Sequence, residues 1–121
     1  FLLVEARAQY KRALIMMQQN RNLEAARALA RTLEILPDHL AAHANLGAIF
    51  SNNERADARA LYHLNRAKEL ETDPGRLKSL GELIQRIEAR RRHRESRASE
   101  TPKGPEPPPG ETGPEPADPN P

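Results

Sequence analysis

Apolar residues recur every three or four positions along most of this chain. The stripe in one segment runs Ala25, Ala26, Leu29, Leu33 and Leu36, and a later one runs Leu77, Leu80, Leu83, Ile84 and Ile87. This spacing places the apolar side chains on one face of an α-helix. The alternation of β-branched and aromatic residues that marks strands is missing, and Val4 is the only valine. The pattern therefore predicts an all-α fold.

Clusters of helix-breaking residues divide the pattern into five predicted helices. The breaks fall at Asn20-Arg21-Asn22, Pro37-Asp38, Ser51-Asn52-Asn53 and Thr72-Asp73-Pro74-Gly75. The predicted helices span about 2–19, 22–36, 38–51, 54–71 and 74–94. Asp38, Asn53 and Asp73 stand where capping side chains are expected, and Pro74 follows in the first helical position. Since no single helix buries its stripe alone, antiparallel hairpins are expected.

The helical pattern repeats along the chain. A shift of 34 residues places Ala13 on Gly47 and Met16 on Phe50, and past the turn a shift of 35 places Ala25 on Ala60 and Leu29 on Leu64. The fifth helix matches a first helix, because a shift of 37 places Leu46 on Leu83. This layout indicates two hairpins, about 6–37 and 40–74, and a capping helix at about 75–94, stacked as a short right-handed α-solenoid.

These residues resemble the tetratricopeptide repeat family. The second unit carries His43, Leu46-Gly47, Phe50, Ala60, Leu64, Ala67 and Pro74, and the first keeps Ala13, Met16, Ala25, Leu29 and Pro37. His43 and Gln9 depart from the family pattern, which often has a large aromatic residue there, and Arg12 stands where leucine is usual. The resemblance covers roughly residues 6–90. It implies a non-enzymatic module that docks a segment of another protein in its concave groove.

The resemblance also indicates which residues would line that groove. Some family members hold an acidic chaperone peptide with a clamp of Lys, Asn and Arg. The matching positions here are Tyr10, Leu14, Asn45, Lys78 and Glu82. Only Asn45 and Lys78 agree, and Glu82 has the opposite charge, so this clamp is rejected. The expected groove, apolar at its centre with polar edges, comprises Arg7, Tyr10, Leu14, Met17, Gln18, Ala41, Ala44, Asn45, Ala48 and Lys78. The expected outer face of the second unit is polar: Arg55, Asp57, Arg59, His63, Arg66 and Glu69.

Composition separates a tail from this body. Nine of the eleven prolines lie between Pro102 and Pro121, and residues 95–121 are predicted to be a disordered tail. Residues 98–121 hold one lysine against five acidic residues, so their net charge is −4. Since the whole chain carries +2, residues 1–97 carry +6. A basic run of Arg90, Arg91, Arg92, Arg94 and Arg97 ends the body. The favoured interpretation is a solvated helix end, where basic residues complement the helix dipole. The run could also bind an acidic surface, including this chain's own residues 98–121, or nucleic acid, which is disfavoured because no aromatic stacking residues are interleaved.

Candidate chemistry is sparse in the sequence. His39 and His43 have the spacing of a two-histidine metal site, yet the intervening Leu40-Ala41-Ala42 lacks the metalloprotease glutamate, and there is no cysteine. His43 is therefore expected to fill a packing position. No nucleophile motif or glycine-rich loop occurs, and Glu69 and Glu71 are expected on the solvated surface. Catalytic residues, metal ligands and cofactors are accordingly not expected.

The first four residues, Phe1-Leu2-Leu3-Val4, are all apolar. They could be the last turn of a membrane anchor preceding Phe1, or they could begin an amphipathic helix that packs on the body, and the second interpretation is favoured. No apolar run reaches the roughly 18 residues that span a bilayer. An anchor would indicate a structural or assembly subunit of a larger, membrane-anchored complex, which is the alternative function. The sequence leaves the compartment undetermined.

Overall fold

The computed structural model describes residues 1–100, and these form five α-helices and one short 3-10 turn. The helices are α1 (Leu2–Gln18), α2 (Asn22–Ile35), α3 (Leu40–Phe50), α4 (Asp57–Leu70) and α5 (Pro74–Glu100), and the 3-10 turn is Glu54–Ala56. No strand occurs within these hundred residues. The predicted all-α fold is thus confirmed.

Helix α5 is longer than predicted. It continues to Glu100 instead of ending near residue 94, so the prediction that the tail begins at residue 95 is wrong. The added residues are mainly Arg, Glu and Ala, which favour helix. The next break in the sequence is Pro102, which disfavours the helical conformation of the residue before it. The rest of the predicted disordered tail, residues 101–121, lies outside the described residues.

The backbone divides into two compact units, residues 1–87 and the residues from 88 onward. In the first unit α1 packs on α2, α3 packs on α4, and α2 packs on α3. One apolar cluster centres on Leu29 and Leu46, and a second joins Leu64 of α4 to Ile84 and Ile87 of α5. Eight of the thirteen buried apolar side chains of the described chain are alanines, so the helices approach closely.

The closest helix approach described for a glycine is at Gly47. A Cβ atom at this position would lie 2.5 Å from both Cγ and Cδ2 of Leu64. Ordinary carbon contacts are about 3.5–4.0 Å. The two helices of the second hairpin are therefore in tight contact, with Gly47 of α3 against Leu64 of α4.

Local rules explain the end of α1 and the start of the 3-10 turn. Asn20 has φ 61°, and the N–H of Arg21 donates to the Met16 carbonyl at 2.8 Å while the N–H of Asn20 donates to Met17 at 3.0 Å. This is the Schellman arrangement that ends α1. Asn53 Oδ1 accepts from the N–H of Arg55 at 3.0 Å, so it caps the 3-10 turn.

Asp73 caps α5 as predicted, since its Oδ2 accepts from the N–H of Arg76 at 2.9 Å. The predicted cap of α3, Asp38, is wrong: His39 is the cap, and its Nδ1 accepts from the N–H of Ala42 at 3.1 Å. Asp38 instead accepts from Arg66 of α4 at 2.5 Å. Asp38 thus pairs with Arg66, and the next residue, His39, caps the helix.

The apolar first turn does not pack on the body. Phe1, Leu2, Leu3 and Val4 are 105, 59, 49 and 68% exposed, so the favoured interpretation of these residues is wrong. The buried residues of α1 begin at Ala6. Leu2, Leu3 and Val4 also point in three directions around the helix, because successive residues turn by about 100°. None of the helices described here has the length and apolarity needed to cross a membrane.

Candidate partner-binding groove

A groove of about 520 Å³ lies in the first unit between α1, α3 and the start of α5. It is lined by Tyr10, Leu40, Ala41, Ala44, Asn45, Glu71, Arg76, Ser79 and Leu80. The alanines of α3 are half-buried and short, so they leave space that larger side chains would fill. The groove is therefore apolar along its floor, with polar groups from α1 and α3 on one side and from the start of α5 and the turn before it on the other.

Tyr10 and Asn45 join α1 to α3 at one side of the groove. The Asn45 side-chain amide donates to Tyr10 Oη at 3.3 Å. The ring of Tyr10 lies 4.9 Å from the ring of His39, the cap of α3. Tyr10 also packs against the first apolar cluster, so its ring is fixed while its hydroxyl reaches the groove. The result is a rigid aromatic wall with a polar tip.

Glu71 and Arg76 form the opposite polar end. The side chain of Glu71 is only 4% exposed, so its expected place on the solvated surface is wrong. Its Oε2 accepts from the N–H groups of Thr72 and Asp73, both at 3.0 Å, and its Oε1 accepts from Arg76 Nε at 2.9 Å. These bonds, that of Arg76 first, lower the pKa of Glu71. Glu71 is thus a buried carboxylate anion.

The structure brings some of the predicted groove residues together and leaves others apart. Tyr10, Ala41, Ala44 and Asn45 line the groove. The others lie outside its lining: Arg7, Leu14, Met17 and Gln18 on α1, Ala48 on α3 and Lys78 on α5. Met17 instead packs against the first apolar cluster.

Five lining residues were not predicted: Leu40, Glu71, Arg76, Ser79 and Leu80. Two signals in the sequence point towards them. Leu80 matches His43 under the shift of 37 residues, so α5 can occupy the place of a first helix. Glu71 stands two residues before Asp73, at the start of α5, where free backbone N–H groups favour an acceptor.

The predicted outer face of the second hairpin (about 40–74) is only partly polar surface. Asp57 is buried, with 2% of its surface exposed, and His63 is half-buried. His63 Nδ1 lies 3.0 Å from His43 Nδ1, and His43 Nε2 donates to the Pro37 carbonyl at 2.8 Å. Because a carbonyl oxygen only accepts, Nε2 of His43 carries a proton, and the close pair of Nδ1 atoms shares one hydrogen bond. His43 fills the packing position that the sequence indicates, with 3% exposed.

Two further candidates lie away from the groove. A smaller cavity of about 220 Å³ between α1 and α2 has a largely charged or polar lining: Gln9, Arg12, Met16, Glu24, Arg27 and Ala28. The basic run, Arg90 to Arg97, lies on α5, in the unit that begins at residue 88. The sequence places this run at the end of the last helix, but α5 continues past it to Glu100. Its binding of an acidic surface or nucleic acid stays a prediction. Among the described side chains, no group of three or more His, Asp or Glu is placed to hold a metal ion.

Comparison of the chain with protein-family models, with curated proteins and with solved structures returned no match.

Proposed function

We propose that this chain is a non-enzymatic protein-interaction module of the tetratricopeptide type, which docks a segment of a partner protein in the groove between α1, α3 and α5. The observation that carries the proposal is the groove itself, with its half-buried apolar floor and rigid polar edges. A concave apolar surface with a few fixed polar groups is typical of peptide-binding sites. In this proposal the two hairpins and the start of α5 stack as a short right-handed solenoid.

The groove fits a peptide segment in size. Its volume of about 520 Å³ lies within the range of roughly 300–1,000 Å³ typical of ligand sites. Its walls are helices, and Tyr10 is held by both the apolar cluster and Asn45. A site with fixed walls loses little conformational entropy on binding, which favours affinity.

The test is selection of a random peptide library displayed on phage against the full chain. Each selected peptide is then titrated against Ala44→Arg, in which a long side chain fills the groove. The control is Ala30→Arg, the same change at an exposed position on α2 outside both cavities. We expect Ala44→Arg to abolish binding and Ala30→Arg to preserve it. Equal binding to both variants would refute groove docking.

The alternative function, a structural subunit of a larger and membrane-anchored complex, is favoured by one observation. The apolar side chains of Phe1 to Val4 are exposed on all sides of the first turn of α1, which suits an apolar environment such as a lipid interface. The test is flotation with phosphatidylcholine vesicles of the full chain and of a variant with Leu2, Leu3 and Val4 changed to Ser. Equal flotation, or none, would exclude this role for the turn.

A further inference from the structure

The rim of the groove at Arg76 presents an unusual set of free hydrogen-bonding groups. Arg76 is 71% exposed, and only its Nε is used on Glu71, so the two terminal nitrogens keep their N–H donors at the groove edge. An arginine held along one edge can still bind a carboxylate with its terminal pair. Arg76 is therefore placed to receive a ligand.

Glu71 does not compete with that ligand for the terminal nitrogens of Arg76, because its two oxygens already accept other hydrogen bonds. Three N–H groups, those of Thr72, Asp73 and Arg76 Nε, donate to its two oxygens. Its charge faces the N-terminal end of α5, where the helix dipole is positive. Glu71 is also the one acidic residue in the groove lining. Glu71 keeps its negative charge, but that charge is paired with Arg76 and two N–H groups, and the lining holds no second carboxylate to repel an acidic ligand.

The other polar groups of the lining are also rich in donors. Tyr10 Oη already accepts from Asn45, so its own proton is directed elsewhere. The second N–H of the Asn45 amide and the hydroxyl of Ser79 add further donors. Together with the terminal nitrogens of Arg76, these donors can bind a ligand that supplies acceptors.

Arg76 is also fixed before any ligand arrives. Its backbone N–H donates to Asp73 Oδ2 at 2.9 Å, and its side chain is held by Glu71 at 2.9 Å. Long charged side chains usually lose much conformational freedom on binding, and a prearranged one loses less. The turn from Glu71 to Arg76 therefore holds the guanidinium group of Arg76 in a fixed position.

On the proposed function, we infer that the partner segment carries an acidic side chain that pairs with Arg76, next to an apolar side chain that packs on Ala41, Ala44 and Leu80. The apolar floor supplies affinity, and Arg76 decides which apolar segments are accepted. The partner is a protein segment with an Asp or Glu adjacent to its apolar anchor, within the chain and not restricted to its end.

The test uses the peptides selected on the full chain that lose binding with Ala44→Arg. Their dissociation constants are measured by fluorescence anisotropy for the wild type, for Arg76→Gln and for Arg86→Gln, which removes the same charge from an exposed position on the same helix outside the groove lining. We expect Arg76→Gln to weaken binding roughly tenfold or more, since the lost bond is charge-assisted. Arg86→Gln is expected to change it by less than about twofold, as a screened surface charge.

Changes in the peptide make the test independent of the folding of Arg76→Gln. Replacing the acidic residue of a selected peptide by its amide should weaken binding to the wild type about as much as Arg76→Gln does, and should have little further effect on that variant. Groove-dependent peptides that lack acidic residues, or that bind Arg76→Gln as tightly as the wild type, would overturn the inference and leave the proposed function standing. If no selected peptide depends on the groove, both fail.

Discussion

Two glycines in helix interiors allow a direct measurement of how closely α3 and α4 pack. A Cβ atom at Gly47 would lie 2.5 Å from two side-chain atoms of Leu64 and 3.3 Å from its backbone nitrogen, whereas a Cβ atom at Gly81 would meet nothing within 4 Å. The change to alanine adds the same methyl group at both positions. It also gives the same gain in helix propensity, about 0.8–1.0 kcal/mol. The difference between the two variants therefore isolates the packing cost.

The magnitude follows from the surroundings of Leu64. This side chain is 1% exposed and lies in the cluster with Ile84 and Ile87, so it has no free space to move into. Restoring an ordinary carbon contact requires a displacement of about 1 Å. Overpacking of this kind costs about 1–3 kcal/mol. We expect Gly81→Ala to be stabilising by about 0.5–1 kcal/mol, and Gly47→Ala to lie about 1–3 kcal/mol below it in free energy of unfolding.

The assay is urea unfolding followed by far-ultraviolet circular dichroism, with thermal melts as a second measurement. For a domain of this size each kcal/mol corresponds to roughly 4–8 °C in Tm. Leu64→Ala supplies the cross-check, because it removes the two atoms that the new Cβ meets. In that background Gly47→Ala should no longer be destabilising. Equal stability of Gly47→Ala and Gly81→Ala in the wild-type background would refute the tight contact and, with it, the repeat register derived from Gly47.

Two other substitutions test particular features of the first unit. Asn20→Val should lower the free energy of unfolding by about 1–2 kcal/mol, because a β-branched residue is strained at positive φ. Asn20→Gly should be neutral or slightly stabilising. Equal urea midpoints for the two variants would exclude the left-handed turn. Burial, and to a lesser degree the charge of His43, lowers the pKa of His63 from 6.5 to about 4. Neutral His63 therefore contributes fully to stability above pH 6.5, and this contribution is lost as the pH falls towards 4, because the unfolded chain takes up the proton first. His63→Gln should flatten this part of the pH dependence in urea titrations, and an unchanged profile would show that His63 is solvated when folded.

The parts of this fold that the sequence predicts are those set by local pattern. The apolar periodicity around Leu29 and Leu64 depends only on neighbours along the chain, and both helices begin and end within a few residues of their predicted bounds. Gly47 was found by the same repeat, because a residue without a side chain in a helix of apolar spacing indicates a close approach. Tyr10 and Asn45 follow in turn, since the repeat register assigns them to one surface.

What the sequence does not predict depends on contacts between distant residues. Asp38 and His39 both suit a helix cap, and in the structure Asp38 binds Arg66, 28 positions further along, while His39 caps α3. The helix start after Glu71 offers N–H groups to an acceptor, but the burial of Glu71 follows only from the way the turn before α5 directs two N–H groups and Arg76 towards it. Such choices require the positions of side chains in space.

The alanine-rich interior has a consequence for how this protein can evolve. Single-base changes in an alanine codon lead to Val, Thr, Pro, Ser, Gly, Asp or Glu, and of these only glycine is smaller. At Ala13, Ala42 and Ala60, which are fully buried, drift by point mutation therefore almost always introduces bulk, charge or a helix breaker. A core of large side chains can lose one methyl group at a time, whereas at these positions almost every change enlarges the side chain against a neighbouring helix. Innovation is consequently confined to the surface and to the groove, where Ala41 and Ala44 can exchange for larger residues at the expense of ligand space and not of the fold.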